Sequence, residues 1–216
     1  MKLNTITRTG SVAASMALLL GLGLSACGSE DSASGSEGGS STSESTEAAA
    51  PEESENMEAG AQTFGEGCKL IPADGAGSFN GMSTAPVASA ASANPLLKTL
   101  VSAVGQAELV DTLNSADALT VFAPTDDAFA KIPKADLDAV LADKDTLTKV
   151  LTHHVVAGQL GPDEVAGEHE TLAGDMITVE GEGEEFTVGK ENAKVLCGNI
   201  PTANATVYVV DTVLMP

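Results

Sequence analysis

The chain has 216 residues, with 10 Lys and Arg against 31 Asp and Glu, and a formal net charge of −21. This acidity argues against a nucleic-acid-binding protein, which neutralises phosphates with clustered Lys and Arg, and against a polybasic contact with anionic lipid. Three Cys are too few for a disulfide-dense mini-protein or a four-cysteine zinc site. The length suits one domain with extensions, or two small domains.

The first 26 residues have the features of an export signal. Lys2 and Arg8 precede an apolar run over residues 12–24. Thirteen helical residues at ~1.5 Å each reach about 20 Å, short of the ~30 Å hydrocarbon core of a membrane. Residues 1–26 are therefore predicted to be a signal peptide. The alternative is a buried core helix.

The signal ends in a motif that implies lipid attachment. Residues 24–27, Leu-Ser-Ala-Cys, resemble a bacterial lipobox. That resemblance implies cleavage before Cys27, acylation of its thiol and anchoring at the extracellular face of the bacterial cell membrane, with part of the protein shed or secreted. The alternative is ordinary signal cleavage that leaves Cys27 free.

A polar, acidic segment follows Cys27. Residues 28–66 contain ten acidic and no basic residues, and Met57 and Phe64 are their only large apolar ones. Such a composition cannot bury enough surface to offset the entropy of ordering, so residues 27–66 are predicted to be a lipidated, disordered tether. As a flexible coil, 39 residues span about 35 Å. Whether its Ser and Thr residues carry O-linked sugar stays open.

Residues 67–216 have the size of one domain, and their first half predicts helices. Asn94 and Pro95 predict the N-cap and first turn of one helix. Thr125 is predicted to cap a short helix that ends before Pro133, and Asp145 to cap a later one. The later helix has an apolar face at i, i+3 and i+4, formed by Leu147, Val150 and Leu151.

The second half of the domain predicts β-strands. One earlier run, over residues 119–123, is also rich in β-formers. The later strands are predicted over residues 153–156, 176–179, 186–188, 193–196 and 207–210, with a turn at residues 180–183. Helices first and strands later indicate an α+β domain.

Cys68 and Cys197 lie near opposite ends of this domain. In an exported protein, two cysteines left over from lipidation are expected to form a disulfide. The alternative is a pair of reduced structural cysteines. Asn204 begins an N-glycosylation pattern that we interpret as a coincidence of strand-entry residues.

Two adjacent histidines are the main candidate for chemistry. On the predicted strand His153 and His154 point to opposite faces, so they cannot easily share a metal ion. We expect one to be buried and hydrogen-bonded and the other to face solvent. No metal and no cofactor is predicted, and no nucleophile elbow or phosphate loop is present. A hydrolytic triad around His154 is not excluded by the residues available.

Three segments together resemble a fasciclin-like domain: residues 119–129, residues 151–158 and residues 205–216. The resemblance covers roughly residues 82–216. It implies a β-sheet wedge with helices packed around it, after the disordered tether. His154 matches the family histidine, and His153 stands where the family usually has Tyr. In animal members this pair of positions is linked to receptor binding, so both are candidate interaction or core residues.

A closer likeness is to the mycobacterial surface lipoprotein and secreted-antigen branch of that family, and residues 81–82, 111–115 and 202–208 carry it. In this branch the Cys68 and Cys197 positions form a disulfide. The resemblance implies extracellular adhesion or interaction, not catalysis, with an unidentified matrix, host or envelope protein or glycan as ligand. The alternative function is an envelope small-molecule-binding protein or hydrolase with a pocket near His154.

Overall fold

The computed structural model describes residues 59–216, which form one α+β domain. A short 3₁₀ helix spans Glu66–Leu70. Seven α-helices follow among the described residues: α1 Phe79–Ser83, α2 Val87–Ala93, α3 Lys98–Gln106, α4 Val110–Ser115, α5 Asp126–Ala130, α6 Lys134–Ala142 and α7 Lys144–His153. The strands are β1 Leu119–Pro124, β2 Val155–Ala157, β3 Gly167–Glu170, β4 Met176–Glu182, β5 Glu185–Val188, β6 Ala193–Pro201 and β7 Ala205–Val210.

All seven strands belong to one sheet in the order β2-β1-β7-β6-β5-β4-β3. β1 and β7 run parallel, and every other neighbouring pair is antiparallel. Past the end of β3, Thr171 bridges Val156, and the N–H of Leu172 donates to the carbonyl of Val155 at 2.8 Å. These contacts bring the two edge strands together, so the sheet is a nearly closed wedge.

Side-chain alternation along the central strands creates two hydrophobic cores. On β7, Val207 and Val209 face the helices, while Tyr208 and Val210 face the interior of the wedge. Successive strand residues point to opposite faces. Because both faces are covered, every residue of β1 and β7 is buried. The predicted α+β fold with a sheet wedge and packed helices is confirmed.

The junction from β1 to α5 matches its sequence-based prediction. The Thr125 hydroxyl accepts a hydrogen bond from the Ala128 N–H at 3.2 Å, which caps α5. Asp126 in the first turn accepts a hydrogen bond from the Thr99 N–H at 2.7 Å and so ties α5 to α3. One local motif therefore positions two helices against the central strand.

Two predicted helix starts are wrong. α3 begins at Lys98, not after Asn94, because the Asn94 carboxamide accepts the N–H of Leu96 and forms a turn instead. α7 is capped by Asp143, whose carboxylate accepts the N–H of Thr146 at 2.8 Å, and not by Asp145. The error at α7 arises because two candidate capping residues, Asp143 and Asp145, lie close together in sequence.

The described domain extends before the expected boundary at residue 67. Phe64 is 7% exposed and forms a bridge with Gly198 of β6. Its ring lies 5.4 Å from Phe186 and 6.2 Å from Tyr208, between ring centres. The wedge core therefore includes Phe64, a residue that the composition assigned to the tether. Residues 1–58, including the predicted signal, Cys27 and most of the tether, lie outside the described residues.

The predicted turn at residues 180–183 lies later in the chain than expected. β4 continues through Glu182, so the turn to β5 is at residues 183–184 and not at 180–183. Within residues 59–216, none of the helices combines the length and hydropathy that a membrane crossing requires.

Candidate functional site

His154 lies at the C-terminal end of α7 and is 2% exposed. Its Nδ1 is 2.8 Å from the Val150 carbonyl, one turn earlier in the helix. Its Nε2 accepts a hydrogen bond from the backbone N–H of Leu214 at 3.0 Å. A carbonyl can only accept and an N–H can only donate, so the ring is neutral with its proton on Nδ1.

This environment opposes protonation of His154. Burial is the largest cause and lowers the pKa of the imidazole to about 4. The hydrogen bond to Val150 opposes that shift, and the neighbouring His153 adds to it. With both nitrogens engaged, His154 has no free atom for acid–base chemistry.

His153 joins a second polar group around the turn that connects β3 to β4. Its Nδ1 donates to Asp175 Oδ1 at 2.7 Å, and the Thr171 hydroxyl donates to the same oxygen. Burial raises the pKa of Asp175, but the hydrogen bonds from Thr171 and then His153 outweigh it and leave the pKa below its usual value. The three side chains hold this turn against the end of α7, beside the bridge between Val156 and Thr171.

The expected strand over residues 153–156 is wrong at its start. His153 is the last residue of α7, His154 is its C-cap, and β2 begins only at Val155. Both histidines are buried, so the expectation that one faces solvent is wrong too. Their rings are 6.4 Å apart, edge to face. Within residues 59–216, no group of three or more His, Cys, Asp or Glu could hold a metal ion.

Sequence reasoning found the histidines but missed Asp175 and Thr171. Asp175 is 22 residues from His153 and contacts it only through the tertiary fold. No motif links the two positions. The sequence signal that existed was the short Asp-containing turn before a strand, which by itself predicts a turn residue.

Cys68 and Cys197 form a disulfide, as predicted, with a Cα–Cα distance of 4.9 Å. The bond joins the 3₁₀ helix to the central part of β6, next to the contact of Phe64 with Gly198. It therefore holds the entry segment on the sheet.

Asn204 is engaged inside the protein. Its side-chain oxygen accepts the Val87 N–H at 2.9 Å, and its amide nitrogen donates to the carbonyls of Leu113 and Ala116, both at 2.8 Å. These three bonds tie the start of β7 to α2 and α4, and they leave the carboxamide nitrogen without a free position for a sugar.

A cavity of about 70 Å³ lies on the helical side of the sheet, and we call it the helix-side cavity. α2, α3 and α4 form one wall, and β1, β2 and the end of α7 form the other. One edge of His154 reaches it. Its remaining lining is almost entirely aliphatic.

Comparison with known proteins places this geometry in a family context. The Fasciclin domain family matches residues 95–216. "Immunogenic protein MPB70" of Mycobacterium bovis is 49% identical over 160 residues, covering 70% of this chain and 81% of that protein. "Cell surface glycolipoprotein MPB83" of the same species is 47% identical over 164 residues, covering 72% of this chain and 73% of that protein.

A solved structure, the FAS1 domain pair of the insect cell adhesion molecule fasciclin I, matches with a TM-score of 0.46 and 21% identity. The match covers 55% of this chain and 45% of that one.

Proposed function

Because this chain belongs to the fasciclin-domain family, we propose that it is a cell-surface adhesion or interaction protein. The observation that carries the proposal is the 47% identity to a protein named as a cell surface glycolipoprotein. Its ligand is a protein or glycan of the extracellular matrix, a host or the envelope.

The proposal includes a lipid anchor. Residues 1–26 are removed, and Cys27 carries a lipid whose acyl chains include palmitate. The chain up to residue 58 then separates the domain from the extracellular face of the bacterial membrane. The lipobox-like sequence before Cys27 and the acidic, core-free composition after it support this arrangement. A shed or secreted fraction would lack the anchor.

The domain is proposed to be non-enzymatic. Both nitrogens of His154 are held by backbone groups, which argues against the alternative hydrolase. His153 pairs with a carboxylate, but within residues 59–216 no Ser, Thr or Cys side chain hydrogen-bonds to it as a nucleophile would. Burial of both histidines favours a core role over direct contact with a partner.

The outer surface of β3 and β4 is the face we propose for partner contact. The helices cover β1 and β7, whereas the outward-facing side chains of β3 and β4 are exposed. Glu168 lies opposite Thr178, and Glu170 lies opposite Met176, which is 56% exposed. Glu180 and Glu182 continue the same face of β4. Such a surface favours a basic partner, with binding weakened by salt.

The anchor is tested by the intact mass of the mature protein and by a Cys27→Ser variant. We expect the lipid mass on the wild type, and release of the variant from the membrane fraction. An unmodified Cys27 would contradict the anchor without touching the domain.

Adhesion is tested with immobilised mature protein against a panel of matrix, host and envelope components. Binding should survive deletion of residues 28–58 and decrease in the double variant Glu168→Lys/Glu180→Lys. The matched control is Asp136→Lys/Asp138→Lys on α6, another exposed pair of acids. Absence of binding across the panel, or equal loss in both charge-reversal variants, would contradict the proposed face.

A further inference from the structure

The helix-side cavity is lined by hydrocarbon on all its walls. Buried aliphatic side chains line it from both sides: Val87, Leu100, Val104, Val121, Leu151 and Val155. Its volume of about 70 Å³ is roughly half that of an engineered apolar cavity of about 150 Å³ that binds benzene. The space suits the end of one aliphatic chain better than a ring.

Two exposed aliphatic side chains also line the cavity. Val110, at the start of α4, is 38% exposed, and Leu172, in the turn between β3 and β4, is 45% exposed. They belong to different elements and extend the apolar lining to the protein surface. Covering water-exposed aliphatic groups at a cavity entrance with an apolar group lowers the free energy.

Two polar side chains of the lining, Thr152 and His154, are already paired, and the third, Thr112, is exposed. The Thr152 hydroxyl donates to the Thr148 carbonyl at 2.8 Å, and both nitrogens of His154 are engaged. A polar or charged group inserted here would lose its hydration without a compensating partner. Only the apolar part of a ligand fits inside.

The position of Leu172 is fixed by the polar contacts of its turn. Its N–H donates to Val155, and the flanking Thr171 and Asp175 are joined to each other and to His153. The entrance is therefore a built part of the fold and not a loose surface loop.

We propose that the helix-side cavity binds the methyl end of a single acyl chain from an electrically neutral lipid, which enters between Val110 and Leu172 and leaves its head group in water. The charge of the domain selects the head group. Residues 67–216 contain 21 acidic and 8 basic side chains, a net of −13, which repels a carboxylate or phosphate.

The test uses the full mature chain, labelled with ¹³C at its methyl groups, and 1-monolauroylglycerol below its aggregation concentration. We expect saturable shifts of the methyl signals of Val121, Leu151 and Leu113, and binding about tenfold weaker for laurate. Absence of saturable shifts at these methyls would overturn the site. Equal binding of laurate would overturn the selection of a neutral head group.

Variants locate the binding. Ala91 lines the cavity, so Ala91→Leu should fill it and weaken binding about tenfold or more. Ser92→Leu adds the same side chain to an exposed position of the same helix and should leave binding unchanged. Leu172→Ser, at the exposed entrance, should weaken binding severalfold and serves if Ala91→Leu does not fold. Wild-type affinity in Leu172→Ser and in folded Ala91→Leu would overturn the proposal.

Discussion

The imidazole Nε2 of His154 accepts the backbone N–H of Leu214 at 3.0 Å, across 60 residues of sequence. Leu214 follows β7 and is fully buried in the wedge core. One side chain thus connects the end of α7 to the C-terminal segment, and it satisfies a buried N–H that water cannot reach. A buried donor left without a partner costs about 1–3 kcal/mol.

His154→Ala should therefore destabilise the domain strongly. The variant leaves the Leu214 N–H without its acceptor and opens a void in the core, so we expect a loss of about 2–4 kcal/mol. Urea unfolding at pH 7, followed by circular dichroism, measures it. The control is His169→Ala, because that less buried ring contacts a single carbonyl, of Val165. Equal losses in the two variants would contradict the role assigned to His154.

The same histidine predicts a pH dependence of stability. Its folded-state pKa of about 4 lies below the unfolded value of 6.5, so the unfolded chain binds the extra proton between these values. The free energy of unfolding should have its full value above pH 6.5. It should fall by up to about 3 kcal/mol as the pH drops toward 4. The measurement is urea unfolding across this range. His154→Ala should lack this contribution, and parallel curves for the variant and the wild type would contradict it.

Asp175→Asn tests the contact between α7 and the β3–β4 turn. The neutral amide keeps the shape but weakens the hydrogen bonds from His153 and Thr171, and charge-assisted bonds of this kind contribute about 1.5–3 kcal/mol. We expect faster hydrogen exchange at Thr171 and Leu172, while the amides of β7 keep their protection. Because the folded-state pKa of Asp175 is depressed, its contribution is present above the unfolded pKa near 4 and lost as the pH falls through the folded value.

The control is Asp163→Asn, because Asp163 is exposed, unlike the half-buried Asp175. Unchanged exchange at Thr171 in the Asp175 variant would show that the backbone bonds alone hold the turn.

Local sequence signals predicted the parts of this fold that depend on local contacts. The run from Leu119 to Thr125 contains its own strand formers and its own helix cap, and the structure reproduces both. α2 escaped prediction because its Ala- and Ser-rich sequence lacks a strong apolar period, and the bond from the Val87 N–H to Asn204 holds its first turn. α1 spans five residues, too few to show an apolar period.

The candidate site shows the same division. The strand formers Val155 and Val156 follow α7 almost directly, because the helix ends at His153. Periodicity alone therefore could not place the boundary between α7 and β2. The contacts of His153 with Asp175 and of His154 with Leu214 join distant segments and leave no local pattern. The disulfide was predictable because export and cysteine count leave few alternatives.

Loss of the disulfide should cost stability. The bond closes a loop with a sequence separation of 129 residues, for which loop-closure entropy gives an upper figure of about 4–5 kcal/mol. The double variant Cys68→Ser/Cys197→Ser should unfold at lower urea concentration than the wild type. Thiol titration of the unreduced mature protein should find neither cysteine reactive. Two reactive thiols before reduction would contradict the bond.

Phe64→Ala tests whether the folded domain begins before residue 67. The ring packs against Phe186 and Tyr208 inside the wedge, and its edge fills the space beside Gly198, where a Cβ would lie 2.3 Å from the ring. Truncation of a buried Phe costs about 3–5 kcal/mol. Leu70→Ala is the control, because Leu70 is 62% exposed and should change stability by less than about 0.5 kcal/mol.

Truncated chains separate this packing from a general effect of the mutation. A chain starting at residue 59 should match the mature protein in urea unfolding, whereas one starting at residue 67 keeps Cys68 but lacks Phe64 and should lose stability comparable to Phe64→Ala. The disulfide alone would then be insufficient to complete the wedge core. Equal stability of the two truncated chains would show that residues 59–66 belong to the tether and not to the folded domain.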